Sequence, residues 1–284
     1  MKKYEFTGET KQVELWNRTA MLHRIRATVE FGFVKVGELG GWIEKEENLS
    51  HEGKAWVWGN AKVWGNAEVW GNAKVCGDAE VWGNAEVWGN AKVCGDAEVW
   101  GNAEVCGNAE VCGDAKVCGD AKVWGNAKVW GNAEVWGNAK VCGDAKVCGD
   151  AEVWGNAKVC GDAKVCGDAE VWGNAKVWGN AKVCGDAKVC GDAEVWGNAE
   201  VWGNAEVFLA SHVLVMGPVG SRNDFTTFFR DKDNEITVKC GCFLGKIDKF
   251  LEKVTQTHGN NKYALVYRAA VEVAKLQIEL TERK

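Results

Sequence analysis

A six-residue unit repeats without interruption over residues 57–206, and it limits the possible folds more strongly than any other feature of the chain. Each hexad reads Val, Trp or Cys, Gly, Asn or Asp, Ala, and Lys or Glu, and twenty-five hexads follow one another. A glycine at every sixth position costs an α-helix about 1 kcal/mol each time, and an apolar period of six does not match the helical period of about 3.6 residues. The repeat therefore excludes a helical fold.

The hexad has the period-two alternation of a β-strand. The four positions from its Ala onward are Ala, Lys or Glu, Val, and Trp or Cys. In a strand, Ala and Val therefore share one face, and the charged residue and the Trp or Cys share the other. Gly followed by Asn or Asp is a turn signal, because these residues tolerate positive φ. We expect each hexad to form one short strand and one corner.

An antiparallel meander with Gly-Asn hairpins is the competing interpretation. In such a hairpin the Trp of one strand would lie opposite the Ala of the next, so the Ala/Val face would flip at every turn and no single core could form. If the chain bends the same way at every corner, the valines stay inside and the coils stack in parallel. The pattern favours stacked parallel coils.

These residues resemble the hexapeptide repeat of left-handed β-helices, in which three hexads form one triangular coil. The resemblance implies an all-β solenoid, namely a left-handed parallel β-helix. The inward positions continue in phase on both sides of the perfect repeat, at Leu39, Ile43, Leu49, Ala55, Val207, Ser211, Val213 and Val219.

The flanking segments are similar to a group of bacterial and prophage-encoded hexapeptide-repeat proteins. The similar segments are "LHRIRATVEFGFVKVGELGGWIEKEENLSHEGKAWVWGNA" at 22–61 and, downstream, "GPVGSRNDFTTFF", "VKCGCFLGKIDKF" and "THGNNKYA". We predict an N-terminal β cap over residues 1–38, the β-helix over 39–216 and a small C-terminal α+β module over 217–284. The cap is expected to pair strands over the first coil and so to protect an open sheet edge.

With eighteen residues per coil, every third hexad lies on the same face, and the residues that follow valine fall into three columns. The Cys-rich face carries Trp58, Cys76, Cys94, Cys112, Trp130, Cys148, Cys166, Cys184 and Trp202. The Trp-rich face carries Trp64, Trp82, Trp100, Cys118, Trp136, Trp154, Trp172, Cys190 and Phe208. The mixed face carries Trp70, Trp88, Cys106, Trp124, Cys142, Cys160, Trp178 and Trp196.

The C-terminal segment has a different pattern. "HVLVMGPVG" and "EITVKCGCF" predict strands on either side of a polar, turn-rich segment, and "KIDKFLEKVTQTHG" and "KYALVYRAAVEVAKLQIEL" predict two helices. The polar segment offers groups that bind an anion or a protein partner, with a surface hairpin as the alternative. Its candidate residues are Arg222, Asn223, Thr226, Thr227 and Arg230.

A row of exposed indoles indicates a contact surface, because monomers rarely expose apolar patches beyond a few hundred Å². We therefore predict a non-enzymatic structural or interaction protein that binds a protein partner or another copy of itself through its Trp-rich face and C-terminal module. The alternative is that neighbouring indoles only cover one another. The candidate indoles are Trp64, Trp82, Trp100, Trp136, Trp154 and Trp172.

An acyltransferase and a DNA mimic are the two alternative functions. The best-known enzymes with this repeat are acyltransferases that use a histidine base, but residues 57–206 contain no histidine, so we predict no catalytic residue and no cofactor. An acidic solenoid that imitates DNA is the other alternative, since the repeat holds 13 Lys against 12 Glu and 10 Asp. The same charge argues against nucleic-acid binding.

The thirteen cysteines are an odd number in a chain whose first residues are charged where a secretory signal is apolar. We therefore expect reduced thiols, a cytoplasmic location and no membrane association. The cysteines recur only because the hexad recurs, and Cys240, Cys242 and His258 fall short of a four-ligand set, so we predict no metal site.

Overall fold

A computed structural model describes residues 2–14 and 18–280. The predicted solenoid is confirmed: about nine turns of parallel strands stack on one another, and a small C-terminal domain combines two helices with an antiparallel sheet. The chain divides into two compact units, Met1–Gly149 and Asp150–Lys284. Each unit is described separately below.

The first unit begins with an antiparallel hairpin. Strands β1 (Tyr4–Glu14) and β2 (Thr19–Ala27) pair with each other, and β2 pairs with β3 (Leu39–Ile43), which joins the first parallel coil. This confirms the predicted β cap. Ile43, Leu49 and Ala55 are buried as expected, but the prediction that Leu39 points inward is wrong, because it is 45% exposed. Leu39 pairs with Arg26 of the antiparallel β2, where the hexad phase does not apply.

A 3₁₀ turn at Glu46–Asn48 then leads into the repeat, and each hexad contributes one short strand. In chain order these strands are β4 (Trp56–Val57), β5 (Lys62–Val63), β6 (Glu68–Val69), β7 (Lys74–Val75), β8 (Glu80–Val81), β9 (Glu86–Val87), β10 (Lys92–Gly95), β11 (Glu98–Val99), β12 (Glu104–Val105), β13 (Glu110–Gly113), β14 (Lys116–Val117), β15 (Lys122–Val123), β16 (Lys128–Gly131), β17 (Glu134–Val135), β18 (Lys140–Val141) and β19 (Lys146–Gly149).

Parallel pairing at a separation of eighteen residues builds three sheets. Val63 pairs with Val81, and Cys94 pairs with Cys112, so identical hexad positions lie directly above one another. The N–H of Trp64 donates to the carbonyl of Val81 at 3.0 Å. Every Val and Ala of residues 57–149 is buried completely. The three predicted faces are therefore the three sheets of the solenoid.

The corners depend on glycine for two reasons. Gly83 has φ +74°, in the left-handed region that only glycine adopts readily, and a Cβ there would lie 3.0 Å from the N of Gly101 in the next coil. The next residue of each corner forms an amide ladder. The Nδ2 of Asn84 donates to Asn102 at 2.9 Å, and that of Asn102 donates to Asp120 at 2.8 Å.

The second unit continues the same eighteen-residue register. Its solenoid strands are β20 (Glu152–Val153), β21 (Lys158–Val159), β22 (Lys164–Gly167), β23 (Glu170–Val171), β24 (Lys176–Val177), β25 (Lys182–Cys184), β26 (Lys188–Val189), β27 (Glu194–Val195), β28 (Glu200–Trp202) and β29 (Glu206–Val207), followed by a 3₁₀ turn at Ala210–His212. Val171 pairs with Val189, and Cys166 pairs with Cys184.

The C-terminal domain is a four-stranded antiparallel sheet with two helices. Its elements are β30 (Val213–Val219), β31 (Asp224–Arg230), β32 (Ile236–Cys240), β33 (Phe243–Lys246), α1 (Ile247–His258) and α2 (Lys262–Gln277). Both predicted helices are confirmed. Phe228, Phe250 and Tyr267 pack edge to face in the core between sheet and helices. The Asn261 side chain accepts hydrogen bonds from the first N–H groups of α2.

We expect Gly83→Ala to destabilise the solenoid more than Gly197→Ala. Both residues have positive φ, which costs alanine about 1–2 kcal/mol. A Cβ at Gly83 also meets the next coil and adds about 1–3 kcal/mol, whereas nothing lies within 4 Å of the corresponding position at Gly197. Urea unfolding followed by circular dichroism measures both variants. Equal losses would contradict the steric role of the corner.

Candidate functional site

The Trp-rich face of the first unit holds a continuous stack of indoles. Trp64, Trp82 and Trp100 lie in successive coils with ring centroids 5.0 Å apart and planes within 2° of parallel. Trp64 is only 3% exposed, because Ala20 and Leu22 of β2 pack against it. Trp82, Trp100 and Trp136 are half-buried. The hairpin therefore covers the start of this column, and the indoles beyond it are partly open.

The same face of the second unit pairs Trp154 with Trp172. Their ring centroids lie 4.9 Å apart, their planes are within 3° of parallel, and both residues are half-buried. Next in the column comes Cys190, which is buried, and then Phe208. The Arg230 guanidinium lies 4.9 Å from the ring centre of Phe208. Stacking covers part of the face of Trp64, Trp82, Trp100, Trp154 and Trp172, which limits the area that they offer to a partner.

Among the described residues, the most exposed indoles lie on the mixed face, which is not the predicted contact surface for a partner. Trp178 is 46% exposed and Trp196 is 57% exposed, and their rings stack 5.9 Å apart. Trp70 is 38% exposed and stacks on Trp88. One signal was available in the sequence: Trp196 is the last Trp or Cys of its column, so no later indole covers it.

A polar cleft of about 620 Å³ is lined by Asn180 and Asn198, the corner residues that stand two positions after Trp178 and Trp196. Its walls carry the charged side chains Lys182, Glu200, Arg222, Asp224 and Lys239. Three of these five groups are positive and two are negative. The cleft is therefore a polar recess with one positive charge in excess.

Two of the cleft cations already have partners, and one does not. Glu200 forms an ion pair with Lys182 at 2.7 Å and another with Lys239 at 3.6 Å. Lys239 also lies 5.0 Å from the ring centre of Trp202. The Arg222 side chain is exposed. Its guanidinium lies against Gly241, so closely that a Cβ at that position would be 2.5 Å from Nη1. Arg222 forms no ion pair with any residue in the described part of the chain.

The polar C-terminal segment divides into a surface part and a buried part. Arg222 and Asn223 are exposed in the turn before β31, and Asn223 has φ +49°. Thr226, Thr227 and Arg230 are buried in β31, the second strand of the antiparallel sheet. The turn that the sequence predicts is limited to the residues before β31, because "FTTFF" carries β-branched and aromatic residues that favour a strand.

Two of the three buried residues attach the C-terminal domain to the last coil of the solenoid. The Thr227 hydroxyl accepts a hydrogen bond from the Glu200 N–H at 2.9 Å. Arg230 donates through Nη1 to the Glu206 carbonyl at 3.1 Å. These two contacts satisfy edge groups of the solenoid, whereas the Thr226 hydroxyl donates to the Cys240 sulfur at 3.2 Å within the domain. A role of these residues in partner binding stays a prediction.

The four histidines lie outside the perfect repeat and pack against aromatic rings. His51 stacks on Tyr4, and His23 stacks on Phe6. His258 stacks on Tyr267. His212 is buried, and its Nδ1 accepts a hydrogen bond from the Phe208 N–H at 3.2 Å.

One expectation about the cysteines is wrong. Cys166 and Cys184 of the Cys-rich face form a disulfide, whereas we expected reduced thiols throughout. Their Cα atoms lie 4.7 Å apart, because the parallel register places equivalent residues of neighbouring coils at the spacing between strands. That spacing falls inside the range that a disulfide requires.

In residues 2–14 and 18–280, no group of three or more His, Cys, Asp or Glu side chains is arranged to hold a metal ion. Neither α1 nor α2 is long and apolar enough to cross a membrane, and the described residues contain no other helix that is. Comparison with known proteins adds no assignment, since no protein-family model matches the chain and no curated protein matches its sequence.

We expect acid to destabilise the second unit through His212. Burial, and secondarily Arg230, lowers the pKa of His212 below its ordinary value of 6.5. Below that pH the unfolded chain binds a proton that the folded chain excludes, so the contribution to stability is present above pH 6.5 and is lost as pH falls.

The measurement is the urea midpoint at about pH 7.5 and pH 5.5, which bracket an ordinary histidine pKa. His212→Asn keeps a hydrogen-bond acceptor without a titrating group, and it should reduce the loss of stability at the lower pH. His258→Asn is the matched control and should keep the full loss. Identical pH dependence in the two variants would rule out His212 as the source.

Proposed function

We propose that this chain is a non-enzymatic interaction solenoid, and that its first partner is a second copy of itself. We further propose that it belongs to the bacterial and prophage-encoded hexapeptide-repeat proteins that its sequence resembles. One observation carries the first proposal: Trp178 and Trp196, the two most exposed indoles of the described residues, each stand two positions before an asparagine that lines a polar cleft with the exposed Arg222.

The apolar part of this surface has the composition of a binding hot spot. Trp and Arg are the residues most enriched at energetically dominant positions of protein interfaces, because they bury large areas while keeping a polar group for orientation. Trp178 and Trp196 stack on each other, so they present one rigid surface and lose little side-chain entropy on binding.

The charge distribution favours a second copy as the partner. Residues 57–206 carry 13 positive against 22 negative side chains, and residues 207–284 carry 12 positive against 9 negative. The positive C-terminal region contributes Arg222, Asp224 and Lys239 to the cleft, whose five charged groups leave one positive charge in excess. The acidic repeat of another copy is its electrostatic complement. Such a contact joins two different surfaces, so it builds rings or chains of molecules rather than a closed symmetric dimer.

Sedimentation over a concentration series tests this proposal. We expect the chain to associate, and we expect the double variant Trp178→Ser, Trp196→Ser to raise the apparent Kd at least about tenfold, because hot-spot indoles contribute more than about 1 kcal/mol each. Arg222→Glu should weaken association as well, and high salt should do so without mutation.

Trp172→Ser is the comparison that separates the two apolar surfaces. Trp172 is half-buried on the Trp-rich face of the same unit, so its replacement should leave association within about threefold of the parent. If the parent chain is a monomer at every concentration, self-association is refuted. If only Trp172→Ser weakens association, the contact lies on the Trp-rich face.

A further inference from the structure

Three thiols stand in line on the Cys-rich face of the first unit. Cys76, Cys94 and Cys112 occupy the same hexad position in three successive coils, and Cys94 pairs in register with Cys112. Cys76 and Cys94 follow the paired residues Val75 and Val93. All three side chains are half-buried, so each remains accessible to small solutes.

The register places the backbones of neighbouring cysteines at a separation that a disulfide can span. Equivalent residues of stacked parallel strands lie about 4.7–4.9 Å apart, which falls within the Cα separation of ordinary disulfides. In the second unit the same column contains the Cys166–Cys184 disulfide, with an identical separation of eighteen residues. The backbone therefore accommodates a bond between Cys76 and Cys94, or between Cys94 and Cys112, without rearrangement.

The neighbouring charges distinguish the three thiols. Interaction with the Cys94 thiol, and the positive charges of Lys92 and Lys74, lower the pKa of Cys76 to about 7. Interaction with Cys76, together with burial, raises the pKa of Cys94. Burial raises the pKa of Cys112. Cys76 is therefore the thiol of this column that ionises most readily.

Lys74 and Lys92 also line a surface hollow of about 360 Å³, together with Phe33, Trp58 and Lys54. The Lys74 ammonium lies 5.0 Å from the ring centre of Phe33, which holds the lysine near the thiol column. The groups that face Cys76 are thus Trp58 before it in the column, Cys94 after it, and the two lysines beside it. None of these groups carries a negative charge.

We propose that Cys76 is a site of oxidation by hydrogen peroxide, and that Cys94 is its resolving thiol. The Cys76 thiolate attacks one peroxide oxygen, the O–O bond breaks, and the leaving oxygen departs as water after protonation, which leaves a sulfenic acid. The Cys94 sulfur then attacks the Cys76 sulfur, its proton passes to the departing hydroxyl, and a second water leaves. Two thiols are oxidised to one disulfide while one molecule of hydrogen peroxide is reduced.

Trypsin makes the two possible disulfides distinguishable. Cys76 is the only cysteine of peptide 75–92, whereas Cys94, Cys106 and Cys112 lie together in peptide 93–116. A Cys76–Cys94 bond links the two peptides, and a Cys94–Cys112 bond stays within one. Since both pairs have the same spacing, the comparison isolates the effect of the thiolate from the effect of geometry.

The first experiment treats the intact chain with hydrogen peroxide, blocks the remaining thiols in acid and maps the peptides by mass spectrometry. We expect the linked peptides 75–92 and 93–116 to form first. In Cys94→Ser, a sulfenic-acid probe such as dimedone should label Cys76. Formation of the Cys94–Cys112 bond first, or no labelling of Cys76 in the variant, would overturn the proposal.

The second experiment measures alkylation by iodoacetamide against pH, with Cys106 as the matched internal control. Cys106 lies on the mixed face, where burial and Glu104 raise its pKa above 9.0. At pH 7 the thiolate fraction favours Cys76 about fiftyfold, and its lower intrinsic nucleophilicity reduces the expected rate ratio to about sixfold. Lys92→Gln should lower that ratio. Equal rates for the two thiols at pH 7 would refute the assignment.

Discussion

Hydrogen bonding between coils, at a fixed separation of eighteen residues, is the constraint on which the rest of the structure depends. The N–H of each outward residue finds its acceptor in the following coil, as in the bond from Trp64 to Val81. A two-residue strand has no stability alone, so each coil is ordered by its neighbours. The valine core and the glycine corners follow from this pairing, because only a chain that bends identically three times per coil can repeat it.

The same constraint decides which side chains meet on the surface. Identical positions stack, so indoles meet indoles, as Trp82 and Trp100 do, and corner amides donate to corner amides. Stacked like charges repel each other, and each column relieves this at the coils where a Lys lies next to a Glu. Lys122 pairs with Glu104 at 2.6 Å, one coil away. Lys74 and Lys92 stack without a carboxylate between them, and both positive charges lower the pKa of the neighbouring Cys76 thiol.

The repeat allowed the solenoid, its three faces and the core to be predicted, because period and glycine position determine them locally. The errors occur where non-repeating segments meet the repeat. Leu39 pairs with an antiparallel strand, and Thr227 is buried because an edge N–H of the solenoid needs an acceptor. Trp64 is covered by a hairpin whose position no hexad encodes. The exposure of Trp196 depends on where the column ends, which the chain reveals only once the columns are aligned.

The eighteen-residue register also governs how such a protein can change length. Gain or loss of three hexads leaves every later residue in its own column, so indoles still stack on indoles and the corner amides still find one another. Gain or loss of a single hexad would move each later side chain to the next face, so that the Trp-rich column would continue as one of the other two columns. The number of repeats can therefore change by whole coils of three hexads, whereas any smaller change moves the later side chains of each face onto a different face.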